Sequence, residues 1–208
     1  MNRHANTHPL RTAIASALAA SALILAGCSS QAEGPSADGV DLRGADLGGD
    51  FTLTSNEGEK VSWSDFDGQY RLVYFGFTYC PDICPTDVQR FSQGLSQFEE
   101  TNPDLGKRIQ PVFISVDPDR DTPEVLDQFV GNFHPRLIGL TGTNEEIEQV
   151  KAKFKVAATK EPANEEGWYN VAHTPLTYLY DPTGEPLGVI PTDKMAEGVA
   201  AELERWIR

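Results

Sequence analysis

Apolar residues recur along this chain in two patterns, which together predict alternating strands and helices. Residues 69–77 and 109–116 are apolar runs with little alternation, as is typical of strands buried on both faces of a sheet. A helical spacing of three and four follows the first run and predicts a helix from residue 85 or 86 to about 100, with its apolar face at Val88, Phe91, Leu95 and Phe98. Thr122 as N-cap, with Pro123 at the first helical position, predicts a second helix to about residue 133.

Shorter patterns complete the order of the elements. Residues 51–54 and 60–63 alternate around a turn and predict an N-terminal β-hairpin, and Asp181-Pro182-Thr183-Gly184 predicts another between 177–180 and 187–190. The remaining predictions are strands at 137–140 and 156–159, a helix over 144–154, a loop over 160–168, and a terminal helix from a cap at Asp193 to residue 207. This order predicts an α/β, thioredoxin-like fold with an added N-terminal β-hairpin and an inserted helix at 144–154.

The N-terminal residues predict export. Residues 1–11 carry Arg3 and Arg11 without an acid, and residues 12–26 are small and apolar but too short for a comfortable membrane span. The following Leu25-Ala26-Gly27-Cys28 resembles the lipobox of bacterial lipoproteins. That resemblance implies a signal peptide at 1–27 and lipid attachment at Cys28 on the extracytoplasmic face of a bacterial membrane. An uncleaved anchor helix or an ordinary secretory signal are the alternatives, and each also exports the domain.

Composition divides the rest of the chain. Residues 28–49 are Ser, Gly, Ala, Asp and Gln with scattered leucines, which predicts a flexible tether. Residues 50–208 form the domain, because 208 residues with 39% apolar content can bury one core. A net charge of −14 and no basic stripe exclude a nucleic-acid partner and favour solubility as the role of the acidity.

Two cysteines lie where the first buried strand meets a helix. Cys80 and Cys84 are each followed by proline, and their spacing of four places both sulfurs on one face at the helix entrance. Helix N-terminal amides lower the pKa of such thiols, which raises both their nucleophilicity and their metal affinity. The pair can therefore form a disulfide or share one soft metal ion, and the spacing leaves both roles open.

A histidine near the two cysteines would favour a metal site over a disulfide. His134 lies where a helix ends and is interpreted as a C-terminal capping residue, whereas His173 precedes the C-terminal hairpin, in a loop that faces the cysteines in a thioredoxin-like plan. Two thiolates favour Cu(I), and an added imidazole makes Cu(II) acceptable. A structural zinc site would need a fourth protein ligand.

Three blocks of sequence resemble the Sco/SenC copper proteins, which assemble the binuclear copper centre of cytochrome c oxidase. The blocks are residues 75–85, 113–123 and 133–142, and the resemblance covers the domain from about Asp50 onward. It implies copper held by Cys80, Cys84 and His173. The partner it implies is the oxidase subunit that carries copper, which would receive copper or have its cysteines reduced.

The same resemblance suggests further residues and partners. Asp117 and Asp119 match acidic positions of the family and are candidates for outer-shell or docking groups. Met195 is the one methionine after the signal segment, so a methionine-rich copper reservoir is excluded and an upstream copper donor or thiol reductant is expected.

Two departures from the family keep an enzymatic alternative open. Ala172 stands where the family usually has an acid, and Thr174-Pro175 resembles the cis-proline turn of thioredoxin-like oxidoreductases. The alternative is an extracytoplasmic thiol:disulfide reductase in which Cys80 attacks and Cys84 resolves the mixed disulfide. A peroxide-reducing enzyme is disfavoured because no arginine lies beside Cys80, and a purely structural disulfide would close too small a loop to stabilise much.

Overall fold

An eight-stranded sheet organises residues 39–207, the part of the chain that the computed structural model describes. Its strand order is β1-β10-β9-β4-β5-β6-β2-β3, and a separate two-stranded sheet pairs β7 with β8. The strands are β1 Val40–Asp41, β2 Thr52–Ser55, β3 Lys60–Ser62, β4 Tyr70–Gly76, β5 Ile109–Ser115, β6 Ile138–Thr141, β7 Ala158–Lys160, β8 Val171–His173, β9 Thr177–Tyr180 and β10 Pro186–Ile190. The α-helices are α1 Ile83–Thr101, α2 Pro103–Gly106, α3 Pro123–Val130, α4 Asn144–Lys153 and α5 Met195–Trp206, and single 3-10 turns form at Trp63–Phe66 and Thr192–Lys194.

Three parallel strands form the centre of the large sheet. β4, β5 and β6 run parallel, and the neighbouring strands β9 and β2 pair antiparallel to β4 and β6. Every residue of β4 is buried, as the apolar run predicts, because helices cover the central strands. Gly94 lets α1 approach α5 closely, since a Cβ at Gly94 would lie 2.5 Å from the Cβ of Val199. The α/β class, the N-terminal hairpin and the inserted helix are confirmed.

The domain begins earlier than the sequence predicts. The predicted tether ends at residue 49, whereas Val40 and Asp41 already pair with Val189 and Gly188 of β10. Leu42 continues the pairing by donating to the carbonyl of Leu187 over 3.0 Å. The expectation of a flexible tether is therefore wrong for residues 39–49. Residues 1–38, which include the predicted signal peptide and Cys28, lie outside the described residues.

Several element boundaries also differ from prediction. Helix α1 starts at Ile83 rather than at residue 85 or 86, because a proline in the first helical turn removes no hydrogen bond of the helix. Helix α3 ends at Val130, three residues before the predicted end, and residues 131–133 form a turn. Asp193 lies inside a 3-10 turn, and α5 follows it at Met195.

The geometry of the sheet brings three chain segments to one end. β4 and β5 both finish there, at Gly76 and Ser115, and β9 starts there because Thr177 pairs with Tyr74. The segment after β4 leads to α1, and β8 lies just before β9. Over residues 39–207, no helix has the length and apolar character needed to cross a bilayer.

Candidate metal centre

The two cysteines meet at the first turn of α1. Cys80 lies in the turn between β4 and α1 and is half-buried, whereas Cys84 is the second helical residue and is fully buried. The backbone N–H of Cys84 donates to the Cys80 sulfur over 3.4 Å. A free N–H at a helix start thus stabilises negative charge on Cys80. Both cysteines are free thiols in this structure.

Hydrogen bonding makes the two sulfurs unequal. The hydrogen bond from the Cys84 thiol holds the pKa of the Cys80 thiol far below its ordinary value. The same hydrogen bond, together with burial, raises the pKa of the Cys84 thiol. The metal-free pair therefore carries one proton, and a metal ion would displace it.

Close packing beneath the sulfurs requires a glycine at the end of β4. A Cβ on Gly76 would lie 2.8 Å from the Tyr74 ring and 3.2 Å from the Cys84 sulfur. Any larger residue would push the buried sulfur or the ring aside. Gly76 thus sets the depth at which the Cys84 sulfur lies.

The structure brings His173 to the two cysteines. Its Nε2 lies 3.1 Å from the Cys84 sulfur, and the ligand atoms of Cys80, Cys84 and His173 all lie within 4.8 Å of one another. Its Nδ1 lies 3.3 Å from the carbonyl oxygen of Thr174, which can only accept. A proton on Nδ1 leaves the lone pair of Nε2 facing the thiols.

Aromatic rings fix the imidazole from two sides. The rings of Tyr74 and Phe77 contact His173 edge to face, with centroids 6.2 Å and 5.9 Å away. His173 belongs to β8, a strand that the sequence prediction placed in a loop. β8 was missed because Val171-Ala172-His173 is too short to show a period and pairs with β7 across residues 161–170.

Two further residues lie under the site. The Tyr74 hydroxyl donates to Asp87 over 3.3 Å and also interacts with the Cys84 sulfur. Burial raises the pKa of Tyr74, so its hydroxyl stays a proton donor. Burial also raises the pKa of Asp87. The sequence does hold a signal for Asp87, because three residues after Cys84 is the same helix face, where a charged residue is unexpected.

The two acidic candidates make their hydrogen bonds elsewhere. Asp117 is fully buried and accepts from Arg120 and from the Tyr169 hydroxyl, the latter over 2.8 Å. Asp119 is exposed and accepts from Asn144 and Lys160. Neither belongs to the group formed by Cys80, Cys84 and His173. An outer-shell role through a direct contact is therefore unsupported within residues 39–207.

The turn after His173 also differs from a feature suggested by the sequence. Residues 39–207 contain no cis peptide bond, so the bond between Thr174 and Pro175 is trans. This turn thus resembles the cis-proline turn of oxidoreductases in its sequence but not in its backbone geometry. Ala172 is exposed and carries no charge toward the site.

His134 is a buried core residue rather than a helix cap. Its Nε2 lies 3.4 Å from a Glu99 carboxylate oxygen, and its Nδ1 accepts from the backbone N–H of Arg136 over 3.2 Å. Gly131 occupies the cap position of α3 instead. His134 therefore supports the fold at a distance from the cysteines.

Burial of His134 predicts a pH dependence of stability. Burial, the largest effect, lowers the pKa of His134 below its ordinary value near 6.5. The unfolded chain therefore binds this proton first as the pH falls, so stability is lost from about pH 6.5 down to the lower pKa of the folded state, by at most about 1.4 kcal/mol per pH unit. Urea unfolding at pH 7.5 and 5.5 is expected to show a larger loss for the wild type than for His134→Gln. Equal losses in the two proteins would contradict the assignment of this pH dependence to His134.

The donor set fits one soft metal ion. Two thiolates and one neutral imidazole are ligands that suit Cu(I) through the sulfurs and Cu(II) through the added nitrogen. Cys80 and His173 are half-buried, so an ion held there remains reachable from solvent. A structural zinc ion would need a fourth ligand, and the residues that the structure describes offer no fourth member of this group.

Comparisons with known proteins agree with this site. A family model described as SCO1/SenC matches residues 40–208. The mitochondrial SCO1 homolog of Homo sapiens is 41% identical over 164 residues, which cover 78% of this chain and 53% of that protein. This chain thus spans about half the length of that relative.

Solved structures match over more of their length. The copper-bound ScoI of Bradyrhizobium japonicum is 36% identical, with a TM-score of 0.70, and the match covers 77% of this chain and 99% of that one. A SCO1/SenC family lipoprotein from Bacillus anthracis is 27% identical, with a TM-score of 0.65, and covers 77% of this chain and 94% of that one. The first of these structures is described as holding copper.

Proposed function

Because this chain belongs to the SCO1/SenC family, we propose that it binds copper and delivers it during assembly of cytochrome c oxidase. The observation that carries the proposal is the meeting of two thiols and one imidazole within 4.8 Å. Copper-bound ScoI, of the same fold, supports the choice of metal. Copper is the cargo of this protein rather than a catalyst.

Each ligand has a distinct part in holding the cargo. The thiolates of Cys80 and Cys84 come from one helical turn and bind Cu(I) as a pair. His173 arrives from β8 and adds the nitrogen that stabilises Cu(II). The half-buried Cys80 is the sulfur that an incoming thiol reaches first, because Cys84 is fully buried.

Transfer proceeds by exchange of ligands. A thiolate of the acceptor binds the copper ion as one ligand of this protein leaves. The oxidation state of the ion stays unchanged. The acceptor is the oxidase subunit that carries the binuclear copper site. Upstream of this protein we place a copper donor, or a thiol reductant that keeps Cys80 and Cys84 reduced.

The N-terminal segment places this reaction at a membrane. Residues 1–27 serve as a signal peptide, and Cys28 carries the lipid that holds the domain on the extracytoplasmic face of a bacterial membrane. The lipoprotein relative from Bacillus anthracis supports this assignment. Mass spectrometry of the native protein is expected to find an acylated N-terminal Cys28, and an intact chain starting at Met1 would contradict it.

A transfer experiment separates delivery of copper from reduction of thiols. The Cu(I)-loaded protein is mixed anaerobically with the reduced form of a soluble copper-site fragment of the oxidase subunit. Separately, the metal-free, reduced protein is mixed with the disulfide form of the same fragment. Copper is expected to appear on the reduced fragment. Reduction of the disulfide form without any transfer to the reduced form would support the reductase alternative, in which Cys80 attacks and Cys84 resolves.

A further inference from the structure

The loop between β5 and α3 carries a dense set of charges beside the site. The candidate metal ligands include none of its charged residues, which are Asp117, Asp119, Arg120 and Asp121. Asp121 is buried and accepts from the backbone N–H and the hydroxyl of Thr78, over 3.1 Å and 2.6 Å. The loop thus holds the segment that leads to Cys80, and it also contains Arg120.

Arg120 contacts Tyr169 in several ways at once. The guanidinium group lies 3.7 Å from the centroid of the Tyr169 ring, and its Nη1 donates to the Tyr169 carbonyl oxygen over 2.9 Å. Its Nε donates to Asp117, which also accepts from the Tyr169 hydroxyl over 2.8 Å. The ring face, the hydroxyl and the backbone of Tyr169 are therefore all fixed by the pair of Arg120 and Asp117.

The same guanidinium group lies against the segment that carries the first cysteine. It is 5.1 Å from the ring centroid of Tyr79, which precedes Cys80, and 5.5 Å from that of Phe77. Phe77 in turn contacts the His173 ring edge to face. Arg120 thus contacts both segments that approach the metal centre, without touching a ligand itself.

The imidazole needs such a connection more than the sulfurs do. Cys80 and Cys84 are separated by one helical turn, so their spacing is set locally. His173 belongs to the two-stranded sheet of β7 and β8, which is not hydrogen-bonded into the large sheet. Besides the three-residue link from β8 to β9, contacts between side chains therefore set its distance from the sulfurs, and Tyr169 lies four residues before it.

We propose that Arg120 is a positioning residue that fixes the segment carrying His173 against the segment carrying Cys80. This role deepens the proposed function and rests on it, since it concerns how the imidazole joins the two thiolates. A planar guanidinium group can stack on one ring while donating to both a carboxylate and a carbonyl, and a lysine cannot make that combination of contacts. The positive charge also compensates the buried Asp117.

The test compares two arginine-to-lysine variants. Arg120→Lys keeps the charge beside Asp117 but loses the stacking and the second hydrogen bond. The matched control is Arg136→Lys, because Arg136 is also half-buried, pairs with Glu99 and donates to the backbone carbonyls of Ile109 and Gly106. Tyr169→Leu removes the ring and hydroxyl while leaving Arg120 and Asp117 paired, and serves if Arg120→Lys does not fold.

Two readouts are measured on each protein. In the metal-free protein, backbone amides of residues 169–174 are expected to exchange hydrogen faster in Arg120→Lys and in Tyr169→Leu than in the wild type. With copper, affinity for Cu(II) is expected to fall about 10–100-fold and its electron paramagnetic resonance spectrum to change, while Cu(I) still binds at one ion per chain. Arg136→Lys is expected to match the wild type in both readouts.

The outcomes separate the two proposals. Wild-type exchange and Cu(II) affinity in both Arg120→Lys and Tyr169→Leu would overturn the positioning role and leave copper binding untouched. An equal change in Arg136→Lys would also overturn it, because the effect would then be a general loss of stability. A wild type that binds no copper would overturn the proposed function, while the exchange of residues 169–174 would still decide the role of Arg120.

Discussion

Replacing Cys84 with serine is expected to abolish stoichiometric binding of Cu(I). The variant keeps one sulfur, Cys80, and a hydroxyl is a poor ligand for a soft monovalent ion. A single thiolate with one imidazole would then have to hold the ion. The affinity is expected to fall by far more than the roughly 10–100-fold that loss of an outer partner of a ligand typically costs. Anaerobic titration of the reduced protein against a competing Cu(I) chelator measures the loss.

A control is needed because Cys84 is fully buried. Ser92→Ala alters another buried side chain of α1, whose hydroxyl has no hydrogen-bond partner among the residues described by the structure. That variant is expected to fold and to bind one Cu(I) per chain. Circular dichroism shows whether Cys84→Ser itself remains folded. A folded Cys84→Ser protein with wild-type affinity would exclude the Cys84 sulfur as a ligand.

Replacing His173 with alanine is expected to separate the two oxidation states. Cu(I) remains bound because both thiolates remain, whereas Cu(II) loses the nitrogen that favours it. We expect the affinity for Cu(II) to fall more than about 100-fold, which corresponds to about 3 kcal/mol. The absorption band from sulfur to Cu(II) is expected to weaken or disappear. Thiol:disulfide exchange through Cys80 and Cys84 is expected to persist, because that reaction needs only the sulfurs.

The other histidine of the domain provides the matched comparison. His134→Gln removes an imidazole that is bonded to Glu99 and Arg136 rather than to the cysteines. It is expected to change stability and to leave the Cu(II) spectrum unaltered. If His134→Gln and His173→Ala weaken Cu(II) binding equally, the effect cannot come from a ligand at residue 173.

Local patterns were sufficient to predict the central fold. The apolar run of β4 and the helical spacing in α1 each record which faces are buried, and both elements lie within three residues of their predicted bounds. The short strands β1 and β8 could not be predicted in the same way. Each has two or three residues and exists only through pairing with β10 or β7, which are distant in sequence or separated by a loop.

The site shows the same division between local and tertiary information. The spacing of Cys80 and Cys84 fixes their common helix face, so their proximity could be predicted. The roles of Asp117 and Asp119 could not, because their partners Tyr169 and Lys160 come from a remote segment of the chain. An acidic residue near a metal site in sequence can therefore bind a neighbouring loop instead.

X-ray absorption spectroscopy of the copper-loaded wild type tests the central claim most directly, because it counts the ligand atoms around the ion. With Cu(II), the account predicts two sulfur ligands and one nitrogen ligand from an imidazole, and the nitrogen contribution should disappear in His173→Ala. A wild-type spectrum without sulfur, or one with two sulfurs and no imidazole nitrogen, would contradict a centre built from Cys80, Cys84 and His173.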